Sequence, residues 1–544
     1  MDEHWTFESR RSPVLGLHGM VATSHPLAAK AGLDILEKGG NAADAAISTA
    51  AALNVVEPTS TGIGGDCFAL YYDAKHREVY ALNGSGRSGA NQSIKSMRDL
   101  GINSFQDNDF STSVHAVTVP GAAMGWFDTL ERFGQMKLTD ALDPAIRLAE
   151  EGIPITPVIS KFWNDSIDLL KSASPNSAEL LLNNSAPKAG EIWKNPNLAR
   201  VFRELAEGGP EAFYQGASGK AIVEIIKDLG GHITSSDLAN HVSTFDKPIS
   251  TQYRDYRVWE HPPNGQGIVA LIALNVLEQF EISKMERRDP NLLHLLIDTV
   301  RLAFRDGLEH VADPSFVDVP VDTLLSAEHA SDLKSMLDSS YSIAPNEGPE
   351  KTSDTVYLSV VDGDGNACSF INSNYSGFGT GIIPKGCGFT LQNRGSGFSL
   401  DETHPNRLEP SKRPYHTIIP ALITHADTDE LFASIGVMGG YHQPQGHVQT
   451  MVNLIDFDMN PQAALDEPRF SIYRDPPWGV VSIEDGIPDH TLSELTRRGH
   501  KVERSTGASR LGLFGRGQII IRDRETGVLW GGSDGRGDGA AITW

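Results

Sequence analysis

The sequence predicts a mixed helix-and-strand protein whose strands lie toward both ends of the chain, with helices between them. Three observations predict it. An Ala/Leu-rich helical pattern near the N-terminus gives way to two short β-prone runs. Residues from about 125 to 345 carry mainly helical periodicity, and after residue 355 the β-prone runs return. No internal repeat or low-complexity tract interrupts this order.

Each element has a local reason. Residues 26–36 read as a helix stopped by Gly39-Gly40, and Asn41, with Asp44 three positions on, reads as the N-cap of a second helix running to about Leu53. Helices so rich in small residues pack closely on a sheet or on each other. A tight Gly-rich loop, residues 58–66, leads into a strand at 67–72, a charged turn at 73–77 and a strand at 78–82, the pattern of a hairpin. Helices are expected at 138–150, 197–207, 219–229 and 291–306, with polar loops at 172–177 and 182–187. Strands are expected at 356–361, 367–371, 418–424, 431–435 and 519–521. Before the first of these, residues 345–353 are polar and rich in breakers, so they read as exposed loop. Thr355 stands where that loop meets the strand. Thr is common in strands, so its address alone implies no chemistry.

Composition removes several function classes. The 544 residues carry 46 Lys plus Arg against 70 Asp plus Glu, a net charge of −24, which repels nucleic acid and anionic membrane. Cys67, Cys368 and Cys387 are the only cysteines, too few and too irregular for a disulfide framework or a zinc site. The first 16 residues lack the apolar stretch of a secretory signal, and no run approaches 18 consecutive apolar residues. The expectation is a cytoplasmic protein.

Four motifs invite chemistry. Gly62-Ile63-Gly64-Gly65 follows a helix and precedes a strand, the wrong order for a dinucleotide loop, so it reads as a structural turn at the edge of a site. Residues 362–366 mimic the start of a calcium loop, but Ala367 and Ser373 stand where Gly and Glu are required, which leaves a hairpin turn. His416, His442 and His447 lack a carboxylate or Cys at ligand spacing, so hydrogen-bonded or substrate-contacting histidines are expected rather than a metal site. Gly439-Gly440 follows a strand, and two consecutive glycines let backbone N–H groups approach a ligand closely enough to stabilise an oxyanion.

Taken together, these segments resemble the γ-glutamyltranspeptidase family over nearly the whole chain. The resemblance rests on residues 19–28, 39–46, Val56-Glu57-Pro58, Gly62-Ile63-Gly64-Gly65, Pro120-Gly121, Ala312-Asp313-Pro314, Lys412-Arg413-Pro414, Gly439-Gly440 and Ser533-Asp534, in that order. It implies an α+β fold, the four-layer αββα sandwich of N-terminal-nucleophile hydrolases, made as a single precursor that cuts itself before a Thr. The matching residue is Thr355, so the cut falls between Asp354 and Thr355. Residues 1–354 and 355–544 then become large and small chains that stay associated as one interleaved unit. No cofactor or metal is implied.

The resemblance also assigns roles. Ser373 matches a hydroxyl that hydrogen-bonds the nucleophile, and Gly439 and Gly440 supply the oxyanion donors. Arg87 matches the Arg that clamps the α-carboxylate of the glutamyl group, a role suited to a planar guanidinium. The rest of the pocket departs from the family pattern. Gly397 replaces the Asp that holds the α-amine, Arg394 brings a cation just before it, Tyr375 replaces an Asn, and His416-Thr417 replace paired serines. The segment 398–412 is short, and residues 391–394 with 439–447 resemble a branch of cephalosporin-acylase-like and oxamate-amidohydrolase-like members. The expected substrate is an amide bearing a carboxylate: a γ-glutamyl compound such as glutathione, or a non-glutamyl amide of oxamate or glutaryl type. An unprocessed carboxylate-binding protein is the non-enzymatic alternative.

Overall fold

The computed structural model describes residues 11–105, 108–343, 355–473 and 479–544. The expected loop at 345–353, Asp354 and the first ten residues lie outside the described residues.

Two seven-stranded sheets occupy the centre. The first runs Ala540–Thr543, Gly19–Thr23, Val356–Asp362, Ala367–Ser373, Asp66–Asp73, Glu78–Gly84, Thr244–Asp246. The second runs Val14–Gly16, Leu529–Ser533, Arg516–Arg522, Leu431–Met438, Ala421–His425, Tyr256–Glu260, Ile249–Tyr253. Neighbours within both are antiparallel. The first sheet therefore combines segments from before and after Thr355: Gly19–Thr23 lies between Val356–Asp362 and Ala540–Thr543.

Helices cover both outer faces. Pro26–Glu37, Ala42–Val56 and Ala122–Phe133 pack on the first sheet, and Gly267–Leu277, His442–Ile455 and Pro461–Asp466 on the second. Ala42–Val56 is buried along its whole length, which its run of alanines permits. Its start is the expected capping box: Asn41 Oδ1 accepts from the Ala43 and Asp44 N–H groups, and Asp44 Oδ2 accepts from the Asn41 N–H at 2.9 Å. The expected turn after Val361 is also present. Asp362 Oδ1 accepts from the Asp364 and Asn366 N–H groups, while Oδ2 accepts from the Ala42 N–H at 3.0 Å, tying the hairpin to the helix start.

Between the sheets, Val356–Asp362 and Ala367–Ser373 are buried on both faces, which explains runs that are nearly continuous rather than alternating in hydrophobicity. Tyr357 fills the interlayer. Its hydroxyl lies 2.7 Å from both Ser359 Oγ and Ser369 Oγ. Its ring packs over Gly436, where an added Cβ would come within 2.4 Å. The layer order is thus αββα, as expected.

Three local expectations need refinement. The middle of the chain is mainly helical, as expected, but Ile249–Tyr253 and Tyr256–Glu260 add a hairpin at the edge of the second sheet. The expected strand at 418–424 is Ala421–His425, with Pro420 ahead of it unable to donate to a ladder. The helix expected at 197–207 is extended by a second piece across a break at Gly209 (φ 65°), just before Pro210. Among the described residues, no helix is long and apolar enough to cross a membrane.

Candidate active site

Strand register assembles the centre of the site. Val356 pairs with Asn372, which sets Thr355 opposite Ser373, and Ser373 pairs in turn with Asp66. Thr355, Ser373 and Asp66 therefore lie side by side at one end of three adjacent strands, all fully buried. Thr355 Oγ1 is 3.0 Å from Ser373 Oγ. Ser373 Oγ also accepts from the Tyr375 N–H at 2.9 Å. Tyr375 adopts φ 78°, a conformation a bulky side chain holds only where its surroundings enforce it.

Above Tyr375 the chain places a cation. The Arg394 guanidinium lies 4.3 Å from the centre of the Tyr375 ring, and Arg394 Nη1 donates to Thr417 Oγ1 at 2.7 Å. The Thr417 carbonyl accepts from Gln266 Nε2 at 2.6 Å, and the same Nε2 donates to the Gly440 carbonyl at 2.9 Å. Contacts thus run without a break from Thr355 through Ser373, Tyr375, Arg394 and Thr417 to the Gly439-Gly440 turn. That turn joins the strand Leu431–Met438 to the helix His442–Ile455, and both glycines have positive φ, 131° and 54°.

His416 is locked beneath this line. Its Nδ1 accepts from the Ile418 N–H, so the ring proton sits on Nε2, which donates to Asp66 Oδ2 at 3.0 Å. Asp66 Oδ1 accepts from the Gly86 N–H, the Gly121 N–H and Gln392 Nε2. Burial pushes the Asp66 carboxyl up to about 6, against the pull of the Arg394 charge and these hydrogen bonds. Burial also holds His416 far below the usual histidine range, helped by repulsion from Arg394, so the ring is neutral. His442 and His447 sit apart from it, His442 facing Ser471 Oγ at 3.2 Å and His447 facing Glu260 Oε1 at 2.7 Å.

Arg87 is placed differently from the other expected residues. Its guanidinium donates to the Val242 carbonyl at 3.3 Å, which also accepts from Arg413, and Asp313 and Asp246 lie close enough to favour its charge. The line of contacts just described does not pass through it. Asp66, Gln392 and Gln266 complete the site without having been singled out in the sequence. Asp66 directly follows the Gly62-Ile63-Gly64-Gly65 motif and Gln392 lies within the segment 391–394, whereas nothing around Gln266 marks it.

Among the described residues, His294, Asp298 and His500 form a cluster with metal-ligand types, but their atoms are engaged with one another. His294 Nδ1 is 2.7 Å from His500 Nε2, and Arg301 Nη1 donates to Asp298 and His500 Nδ1. A guanidinium within that shell disfavours a second cation.

The buried histidines make stability depend on pH. Burial lowers His25 and His261 to about 4, His241 and His500 to about 3, and His416 and His442 further. A histidine kept neutral in the fold is protonated first in the unfolded chain, so its contribution is present above its unfolded pKa of 6.5 and lost as pH falls toward its folded pKa. Each such group removes up to about 1.4 kcal/mol per pH unit in that window. Asp66, Asp128, Glu260, Asp298, Asp362 and Asp466, raised by burial, act in the opposite sense. With His115, His232 and His425 also lowered, the histidines still outnumber these six acids among the described residues. Denaturant midpoints measured from pH 7.5 to 5 are expected to fall steadily. A flat or rising profile would show that these histidines are protonated in the fold.

An αββα sandwich with a paired Thr and Ser hydroxyl at the end of its central strands is the architecture of the N-terminal-nucleophile hydrolases. Comparison with known proteins narrows the class. The sequence model of the family described as Gamma-glutamyltranspeptidase matches residues 28–544. The Glutathione hydrolase-like YwrD proenzyme of Bacillus subtilis (strain 168) is 37% identical over 97% of this chain and 99% of its own length. The Oxamate amidohydrolase proenzyme of Klebsiella pneumoniae subsp. pneumoniae is 31% identical over 96% of this chain and 98% of its own. The crystal structure of cephalosporin acylase from Bacillus halodurans superposes with a TM-score of 0.92, at 43% identity, over 100% of this chain and 99% of that one. The chain belongs to the gamma-glutamyltranspeptidase family. It is an enzyme of that family, a hydrolase or acyltransferase made as a single precursor.

Proposed function

We propose that this chain is a self-processing amidohydrolase whose nucleophile is Thr355 and whose substrate is an amide bearing a carboxylate. In the precursor, Thr355 Oγ attacks the carbonyl carbon of Asp354. The Asp354–Thr355 amide breaks, its nitrogen takes up the hydroxyl proton, and an ester joins the two residues. Water cleaves the ester, leaving a carboxylate on Asp354 and a free α-amine on Thr355. That amine, with a pKa of about 8, serves as base for the hydroxyl of its own residue. A substrate amide then acylates Thr355 and releases its amine, and water or an acceptor amine removes the acyl group. Gly439 and Gly440 donate N–H groups to the developing oxyanion, and Ser373 orients the nucleophile. Tyr375, Arg394, His416 and Thr417 line the acyl pocket.

The observation that carries this reading is the buried Thr355–Ser373 pair, at 3.0 Å, with Thr355 immediately before a strand that is paired on both sides. The cut chains are expected to remain together, since adjacent strands of the first sheet come from both. A cytoplasmic location remains part of the proposal, on sequence grounds.

The names of the relatives point to glutathione, oxamate and cephalosporin-type amides. Gly397 supplies no carboxylate for an α-ammonium, and burying an ammonium beside Arg394 is costly. Hydrolysis of a matched panel of γ-glutamyl, glutaryl and oxamate amides tests the choice. The expected result is that a glutaryl or oxamate amide exceeds the γ-glutamyl compound in kcat/KM. A strong γ-glutamyl preference over the glutaryl analogue would contradict it.

A further inference from the structure

Arg394 carries an unused recognition edge. It is fully buried, with no exposed surface. A guanidinium offers five N–H groups in one plane. Nη1 is engaged by Thr417, while Nε and Nη2 have no hydrogen-bond partner among the described residues. Those two nitrogens present parallel N–H bonds along one side of the plane, the edge that matches both oxygens of a carboxylate. The Tyr375 ring beneath the plane fixes its orientation. The nearby carboxylate cannot fill the edge, because Asp66 is committed to Gly86, Gly121, Gln392 and His416. Burial lowers Arg394 to about 10, so it remains a cation at neutral pH. A buried cation with two unmet donors calls for a planar anion. Tyr375 also donates its N–H to Ser373 Oγ, which faces Thr355, so Arg394 is linked to the nucleophile through Tyr375 and Ser373. Arg87, by contrast, is partly exposed, so water can satisfy its remaining N–H groups, and its Nη1 donates to the Val242 carbonyl beside Arg413.

We propose that Arg394, rather than Arg87, grips the substrate carboxylate through its Nε and Nη2 edge, and so sets specificity for amides of diacids that lack an α-ammonium. The proposal rests on the amidohydrolase reading above. A substrate ammonium near this edge is repelled by the same charge that holds the carboxylate.

The test compares processed wild-type protein with Arg394→Gln, Arg394→Lys and Arg87→Gln on glutaryl-p-nitroanilide and its methyl ester. Arg394→Gln is expected to lower kcat/KM about 100-fold on the acid while changing the ester by less than about 5-fold. Arg394→Lys keeps the charge but loses the paired edge, so it falls between and acts mainly through KM. It carries the test if the Gln variant does not fold. Arg87→Gln should leave the acid-to-ester ratio near the wild-type value. An unchanged ratio in the Arg394 variants, or a ratio that collapses only in Arg87→Gln, overturns the assignment. Calorimetric titration of wild type and Arg394→Gln with glutarate and with oxamate separates this proposal from the reaction itself. If wild type hydrolyses no amide, loss of anion binding in Arg394→Gln still supports the grip while the amidohydrolase reading fails. Equal anion binding in both proteins, or none in wild type, overturns the grip.

Discussion

Thr355→Ala is expected to give one uncut chain of 544 residues with no measurable amide hydrolysis. Thr355 is buried at the end of a strand whose register is fixed by Gly19–Thr23 on one side and Ala367–Ser373 on the other. Removing Oγ1 deletes the attacking atom and leaves Ser373 Oγ facing a methyl group, while the flanking ladder is untouched. The fold should therefore survive with the chemistry gone. Loss of a nucleophile costs on the order of 10⁴-fold or more in rate. Without the first cut, no α-amine is generated at residue 355, so both processing and turnover fail together. Thr355→Ser should restore the cut, because it returns the hydroxyl. Denaturing electrophoresis and an amide assay on both variants check the pair of outcomes, and processing by the Ala variant would remove Thr355 from its role.

Gly439→Ala is expected to fold and yet lose about 100- to 1,000-fold in kcat, the scale for removing one oxyanion donor. Gly439 has φ 131°, which L side chains rarely adopt, and an added Cβ would lie 3.1 Å from Gly515 Cα. The peptide must rotate to relieve both, at a cost of roughly 1–3 kcal/mol, and the rotation swings the N–H groups of the turn away from their alignment. If the proposed donors also serve the intermediate formed on the Asp354 carbonyl, self-cleavage should slow with turnover. The check is kcat on processed protein together with the half-time of precursor cleavage. A kcat within about 5-fold of wild type would place the oxyanion elsewhere.

How much was legible in the sequence depended on how local each signal is. The helix from Ala42 was readable because Asn41 and Asp44 build its cap within four residues. The turn after Val361 was readable because Asp362 organises it alone. The hairpin at Ile249–Tyr253 and Tyr256–Glu260 was missed. It lies at a sheet edge, mostly half-exposed, so its strands carry little of the apolar alternation that marks buried ones.

The site divides in the same way. Thr355, Ser373 and the two glycines were nameable from family motifs, and antiparallel pairing explains why 355 and 373 face each other. Asp66 was not recognisable as a hub, because its partners come from residues 86, 121, 392 and 416. Gln266 joins Thr417 to Gly440 from 151 and 174 residues away in sequence, with no motif to announce it. Arg87 was assigned a clamp by its motif, and only its side-chain contacts reveal the competing demand of the Val242 carbonyl.

N-terminal sequencing and intact mass of purified wild-type protein should give two fragments, residues 1–354 and 355–544, the second beginning Thr-Val-Tyr-Leu with a free amine. A single persistent chain, or a cut at any other bond, would contradict Thr355 as the self-generated nucleophile.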